Sequence, residues 1–163
     1  MCRHLGQQKQ FLPPSRGFDS YFGIPYSDDM GASAWNYYIS ADRPPLPLLS
    51  NFDIIEQPTD LNKLTDRYVN ASATFIAEQS AATTPWLLYM AFNHVHTPDF
   101  ASKKFCNVTR RGRFGDALME VRMMLLLLLL LLLLMLFVLM PSSTMASGAS
   151  WRRSRPRAPP PTR

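Results

Sequence analysis

After Glu120 the chain contains no acidic residue. All 12 Asp and Glu fall between Asp19 and Glu120, and 11 of the 17 Lys and Arg lie in residues 1–120, so that body carries a net charge of −1. Six arginines (Arg122, Arg152, Arg153, Arg155, Arg157 and Arg163) stand unopposed beyond it. The formal charge of +5 and the pI near 9.5 therefore describe the tail. A near-neutral body gives no charge-based reason to expect nucleic acid as a partner. Cysteine is scarce: Cys2 and Cys106 could pair or stay free, and two such residues without motif spacing fix no redox compartment. An apolar signal core is also missing at Met1, where Cys2-Arg3-His4 leads into the polar Gln7-Gln8-Lys9-Gln10, so no signal peptide is expected there.

Three segments of different character remain. Residues 11–60 are punctuated by Pro13-Pro14, Gly17, Gly23, Pro25, Gly31, Pro44-Pro45, Pro47 and Pro58, which interrupt long helices and strands. Eight aromatic residues between Phe11 and Tyr38 argue that this irregular stretch packs onto a larger body. Residues 60–79 predict a helix: Leu61, Leu64, Tyr68, Ala71 and Phe75 recur at three- and four-residue steps behind a Pro58-Thr59-Asp60 start signal. Residues 84–93 run apolar from Trp86 to Phe92 without alternation, which predicts an interior parallel strand covered on both faces. Helix followed by buried strand is half of an α/β unit.

The third segment is Met123 to Met140, 18 consecutive apolar residues including ten consecutive leucines. As a helix it would reach about 27 Å, enough for a thin hydrocarbon core. Residues 141–163, rich in Ser, Ala, Arg and Pro, cannot bury a core and are expected to be disordered. The organisation predicted is a body at 1–121, a hydrophobic helix at 122–140 that is a candidate transmembrane segment, and a basic tail at 141–163. A frame shifted through a short repeat would produce such a junction, and so would a genuine membrane anchor.

Few residues offer chemistry. His94-Val95-His96 follows the predicted strand, where functional groups of open α/β sheets collect, and alternate residues of a strand share a face that could hold a metal. Surface or packing histidines read the same way. His4 precedes Gly6 near the start, and Ser27 is either a hydroxyl ligand or a turn former. Asp28-Asp29 is expected to be solvated. Asn70-Ala71-Ser72 and Asn107-Val108-Thr109 are glycosylation sequons.

The order of the motifs is more specific. His4-Leu5-Gly6, Phe11-Leu12-Pro13-Pro14, Arg16-Gly17-Phe18-Asp19, Phe22-Gly23-Ile24-Pro25-Tyr26-Ser27, His94-Val95-His96-Thr97-Pro98 and Gly112-Arg113-Phe114-Gly115-Asp116 follow one another over residues 4–121. The series resembles a continuous interior stretch of the lysosomal-type arylsulfatases. That family has an alkaline-phosphatase-like α/β fold and hydrolyses sulfuric esters with a formylglycine nucleophile and Ca²⁺. The resemblance implies a catalytic role for His4, substrate binding by Ser27 and His96, a sulfated small molecule or glycoconjugate as substrate, and a secretory or lysosomal setting. Imidazole and hydroxyl donors suit a sulfate because they offset its growing charge.

The departures limit what the resemblance implies. The formylglycine motif Cys-x-Pro-Ser-Arg is absent, Cys2 stands where the family has a sulfate-binding lysine, and the family's Ca²⁺ ligands are not in this sequence. The expectation is a sulfatase segment inactive by itself. The alternative is a non-catalytic relative anchored by a single pass through the membrane at residues 123–140.

Overall fold

The computed structural model describes residues 6–32, 43–80, 82, 84–97 and 99–139. His4 and the tail at 141–163 lie outside them, so the readings made for these positions do too.

Residues 9–16 form two short 3-10 turns, Lys9–Phe11 and Pro13–Arg16, as the proline pair dictates. Three short strands follow: β1 (Phe22–Gly23), β2 (Leu48–Ser50) and β3 (Asp53–Glu56), in the order β1-β2-β3 and antiparallel throughout. Asn51 sits in the β2–β3 turn at φ 54°, a left-handed conformation that Asn tolerates. Its amide donates to Tyr21 O at 2.7 Å and its Oδ1 accepts the Tyr21 N–H at 2.9 Å, fixing the segment leading into β1 against the hairpin.

Helix α1 (Leu61–Gln79) forms where the periodicity placed it. Asp60 caps it, its Oδ1 accepting the Asn62 N–H at 3.1 Å, while Glu56 accepts the Asp60 N–H at 2.8 Å. Leu61, Leu64 and Tyr68 are buried with Ile24, Leu46, Leu48 and Phe100 in the main core. The Tyr68 hydroxyl donates to Asn93 Oδ1 at 3.0 Å and accepts the Ile24 N–H at 3.4 Å, joining three segments at one point.

Residues 84–93 depart from the expectation. They form no regular element, no ladder runs along them among the described residues, and the sheet present is antiparallel. Met90 and Phe92 pack on the main core and Leu88 on a second cluster, whereas Leu87 and Tyr89 are 76% and 59% exposed. One face of this segment is therefore covered by α1 and the other is open. An all-apolar sequence reports a capacity for burial on both faces, and the burial itself needs neighbours that the described residues do not supply.

Helix α2 (Gly112–Leu139) runs without a break from the charged segment into the leucine run, so the boundary expected at 121/122 falls inside one helix. Gly115 permits its start: a Cβ there would collide with Thr109 Oγ1 and with Arg111 Cβ at 2.7 Å. The run is also not isolated. Leu128 is buried with Val69 and Ile76 of α1, and Met124, Leu132 and Met135 pack on the same cluster. These four positions lie on one helical stripe.

Candidate substrate site

Asp28 and His96 approach each other where the loop after β1 meets the loop after residues 84–93, and Ser27 precedes Asp28 in the chain. Ser27 is 3% exposed, and its Oγ is buried with no hydrogen-bond partner among the described residues. A buried hydroxyl without a partner is costly, so its orientation needs an explanation. Asp28 is 1% exposed, contrary to the solvation expected of an acidic pair in a Gly/Pro-rich segment. The reason is the flanking apolar chain: Ile24 is in the core and Tyr26 packs on it, which draws the following residues inward. Burial pushes the Asp28 carboxyl up to about 6, opposed by its own backbone hydrogen bond and by the nearby His96.

His96 Nδ1 lies 3.9 Å from Asp28 Oδ1 and 2.7 Å from Thr97 O. With Nδ1 donating to that carbonyl, Nε2 is left for another contact. Its side chain is 47% exposed, so this histidine faces solvent beside a buried carboxyl.

His94 goes elsewhere. Its side chain is 3% exposed, with its ring 4.3 Å from the Phe100 ring, Nδ1 3.5 Å from Thr65 Oγ1 and Nε2 3.5 Å from Glu120 Oε2. The shared face expected of alternate strand residues is not found, because residues 94–96 are not in a strand; the peptide between His94 and Val95 is cis. Glu120, wholly buried, also accepts the Ser102 N–H at 2.8 Å. Burial would raise its carboxyl, but the His94 ring and the Ser102 N–H outweigh it and hold Glu120 below the usual carboxylate range. One turn earlier Asp116 accepts N–H bonds from Asn107 (2.8 Å), Val108 (3.2 Å) and Thr109 (2.8 Å). Burial again acts upward, and these donors keep Asp116 low.

Sequence reasoning missed Asp28, Glu120 and Asp116 as organising residues. A signal for two of them existed: Asp116 and Glu120 are four apart, so they share one helical face, and that face also carries the wholly covered Ala117.

The Ca²⁺ implied by the family needs six to eight oxygen ligands. Among the described residues no three His, Cys, Asp or Glu side chains stand close enough to share an ion, and Asp28 is biased toward its protonated form. The described residues do not fit such an ion. Of the two sequons, Asn107 lies exposed in a loop at φ 59°. Asn70 is exposed in the middle of α1, with the hydroxyl of its partner Ser72 turned inward onto Met90.

Beside the site lies a cavity of about 370 Å³ between β1, α1 and residues 87–91. Phe22, Tyr26, Tyr68, Phe75 and Met90 give it largely apolar walls, and Arg16 supplies a cation in its lining. Tyr26 and Asn93, the sequence neighbours of Ser27 and His94, are among its lining residues.

No family model matches the chain. Curated relatives do. The chain is 37% identical over 140 residues to arylsulfatase G of Canis lupus familiaris, with 72% of this chain and 26% of the relative covered. It is 35% identical over 127 residues to human arylsulfatase A, covering 72% and 25%, and 34% identical over 127 residues to N-acetylgalactosamine-6-sulfatase of Canis lupus familiaris, covering 72% and 23%. Over most of its length this chain belongs to the sulfatases, as a segment spanning about a quarter of the length of the relatives it matches.

Proposed function

We propose that the chain forms part of the substrate wall of a sulfuric ester hydrolase, within a larger alkaline-phosphatase-like domain, and that it does not turn substrate over by itself. The observation that supports this most is the buried Ser27 hydroxyl, without a partner among the described residues and next in the chain to Asp28, which the exposed His96 approaches. A sulfate oxygen would accept from Ser27, and His96 Nε2 would take a second contact to the same group. His4 would complete the set by family correspondence. The apolar cavity suits the uncharged body of a sulfated small molecule or glycoconjugate.

Turnover needs a nucleophile that can carry the sulfate, and the sequence contains no formylglycine motif. Cys106 stands in Phe105-Cys106-Asn107, with its Sγ 3.4 Å from Ala101 O, and does not replace it. A chromogenic aryl sulfate incubated with the purified chain should therefore release no product. NMR titration with the same compound should shift the His96 ring signals, and Ser27→Ala should abolish that shift. Turnover that disappears in His4→Ala would overturn the reading. A secretory or lysosomal setting goes with the family, and Asn107 is then the better presented glycosylation acceptor.

A second reading, membrane association, is favoured by the leucine run of α2. Leu125, Leu126, Leu127, Leu129, Leu130, Leu133, Leu134, Leu136 and Phe137 are all 48% exposed or more, and the helix is long and apolar enough to cross a bilayer. Such a surface is unfavourable in water and favourable in lipid.

A further inference from the structure

We propose that α2 meets the membrane lying in its plane, docked on α1, and does not thread through it. This inference rests on the membrane reading and specifies its geometry. Met124, Leu128, Leu132 and Met135 are the stripe that α1 covers. At 100° per residue, Leu126, Leu130, Leu133 and Phe137 lie on the opposite side, and Leu130 and Phe137 are the most exposed apolar residues of the helix at 64% and 73%. The covered stripe turns the body to one side of α2 and the open stripe to the other.

A spanning α2 cannot keep that packing. Docking continues to Met135, so Leu136–Leu139 are all that remains of the helix beyond it. Carrying the docked stretch through hydrocarbon would bring exposed Asn70, Thr74 and Glu78 of α1 to membrane depth, where their polar groups lose water. In-plane binding keeps the packing and uses the open stripe, about 16 Å long from Leu126 to Phe137. Arg122 is exposed and lies one turn before Leu126 on the same side. An arginine at the edge of an apolar stripe complements anionic headgroups. The occupant of the open stripe is thus an anionic lipid surface.

The test uses the full chain with Cys2→Ser, Cys106→Ser and Ser150→Cys, added to sealed vesicles of phosphatidylcholine and phosphatidylserine. The protein should float with the vesicles, and a membrane-impermeant maleimide added outside should label the Cys at position 150 completely. Leu126→Glu with Leu133→Glu should cut the floated fraction by about tenfold or more. Both side chains are already half exposed, so the circular dichroism and melting of this variant should stay unchanged. Flotation with a protected tail thiol overturns the in-plane geometry and leaves the membrane reading standing. Failure to float overturns both. A vesicle-free dimer that dissociates in the double variant, with no flotation, assigns the stripe to a second copy and overturns both as well.

Discussion

Two histidine–carboxylate pairs lie two residues apart in the chain and end in opposite states. His94–Glu120 is buried on both sides, and Glu120 stays low because the Ser102 N–H donates to it and the His94 ring lies 3.5 Å away. His96–Asp28 pairs a solvent-facing ring with a buried carboxyl that burial pushes to about 6. Both carboxyls are desolvated; they differ in the donors offered to them. A carboxylate fed by backbone N–H and a ring can act as a fixed structural charge. One that burial raises to about 6 is mostly charged at pH 7 and sheds that charge as pH falls below 6, which there removes its repulsion toward an anion such as a sulfate.

That contrast can be broken at either end. The largest effect is expected at Glu120. Glu120→Ala leaves the Ser102 N–H and the His94 ring without their buried partner, and should lower unfolding stability by about 3–4 kcal/mol. Urea denaturation of the variant beside the parent chain measures it, and a loss below about 1 kcal/mol would mean the pair does not hold α2 to the body.

Asp28→Asn should act in the other direction. The folded pKa of Asp28 lies above its unfolded value, so between about pH 4 and 6 the folded state holds more protons than the unfolded one. Its contribution to stability is present below pH 4 and falls as pH rises through 6. A rise from 3.8 to about 6 corresponds to about 3 kcal/mol. The neutral isostere should recover much of that at pH 7 and flatten stability across this window. Equal pH slopes in the two proteins would show that Asp28 ionises freely in the fold.

A smaller contrast separates the two faces of α2. Leu128→Ala, on the docked stripe, should cost about 2 kcal/mol, whereas Leu130→Ala on the open side should stay within about 0.5 kcal/mol. Equal costs in thermal melts would remove the distinction on which the in-plane geometry depends.

Much of α1 could be read from the chain, because its start signal and apolar spacing are local properties. Residues 84–93 were legible as apolar but not as lacking a strand partner, because pairing depends on segments distant in sequence. The assignment of Ser27 and His96 to one site comes through family likeness, since nothing in Ile24-Pro25-Tyr26-Ser27 states what it will meet. Asp28 misled for a physical reason: composition reports an average exposure, and a flanking segment anchored by buried Ile24 and half-buried Tyr26 is enough to invert it. The leucine run concealed its own docking. A sequence apolar all round has no preferred face, and the face was chosen by Val69, Ala73 and Ile76 of α1.

The continuity of α2 has a mechanical consequence. From Glu120 to Leu139 the helix is an unbroken rod about 28 Å long, anchored at one end by a carboxylate that touches both Ser102 and His94. A torque applied to the leucine end has no hinge in which to dissipate. A tilt of about 10° would carry the far end by about 5 Å, and the restoring force would fall on the packing against Val69, Ala73 and Ile76 of α1 and on the Glu120 contacts with Ser102 and His94. Whatever grips the leucines, lipid or protein, therefore pulls on α1 and on the segment two residues before His96.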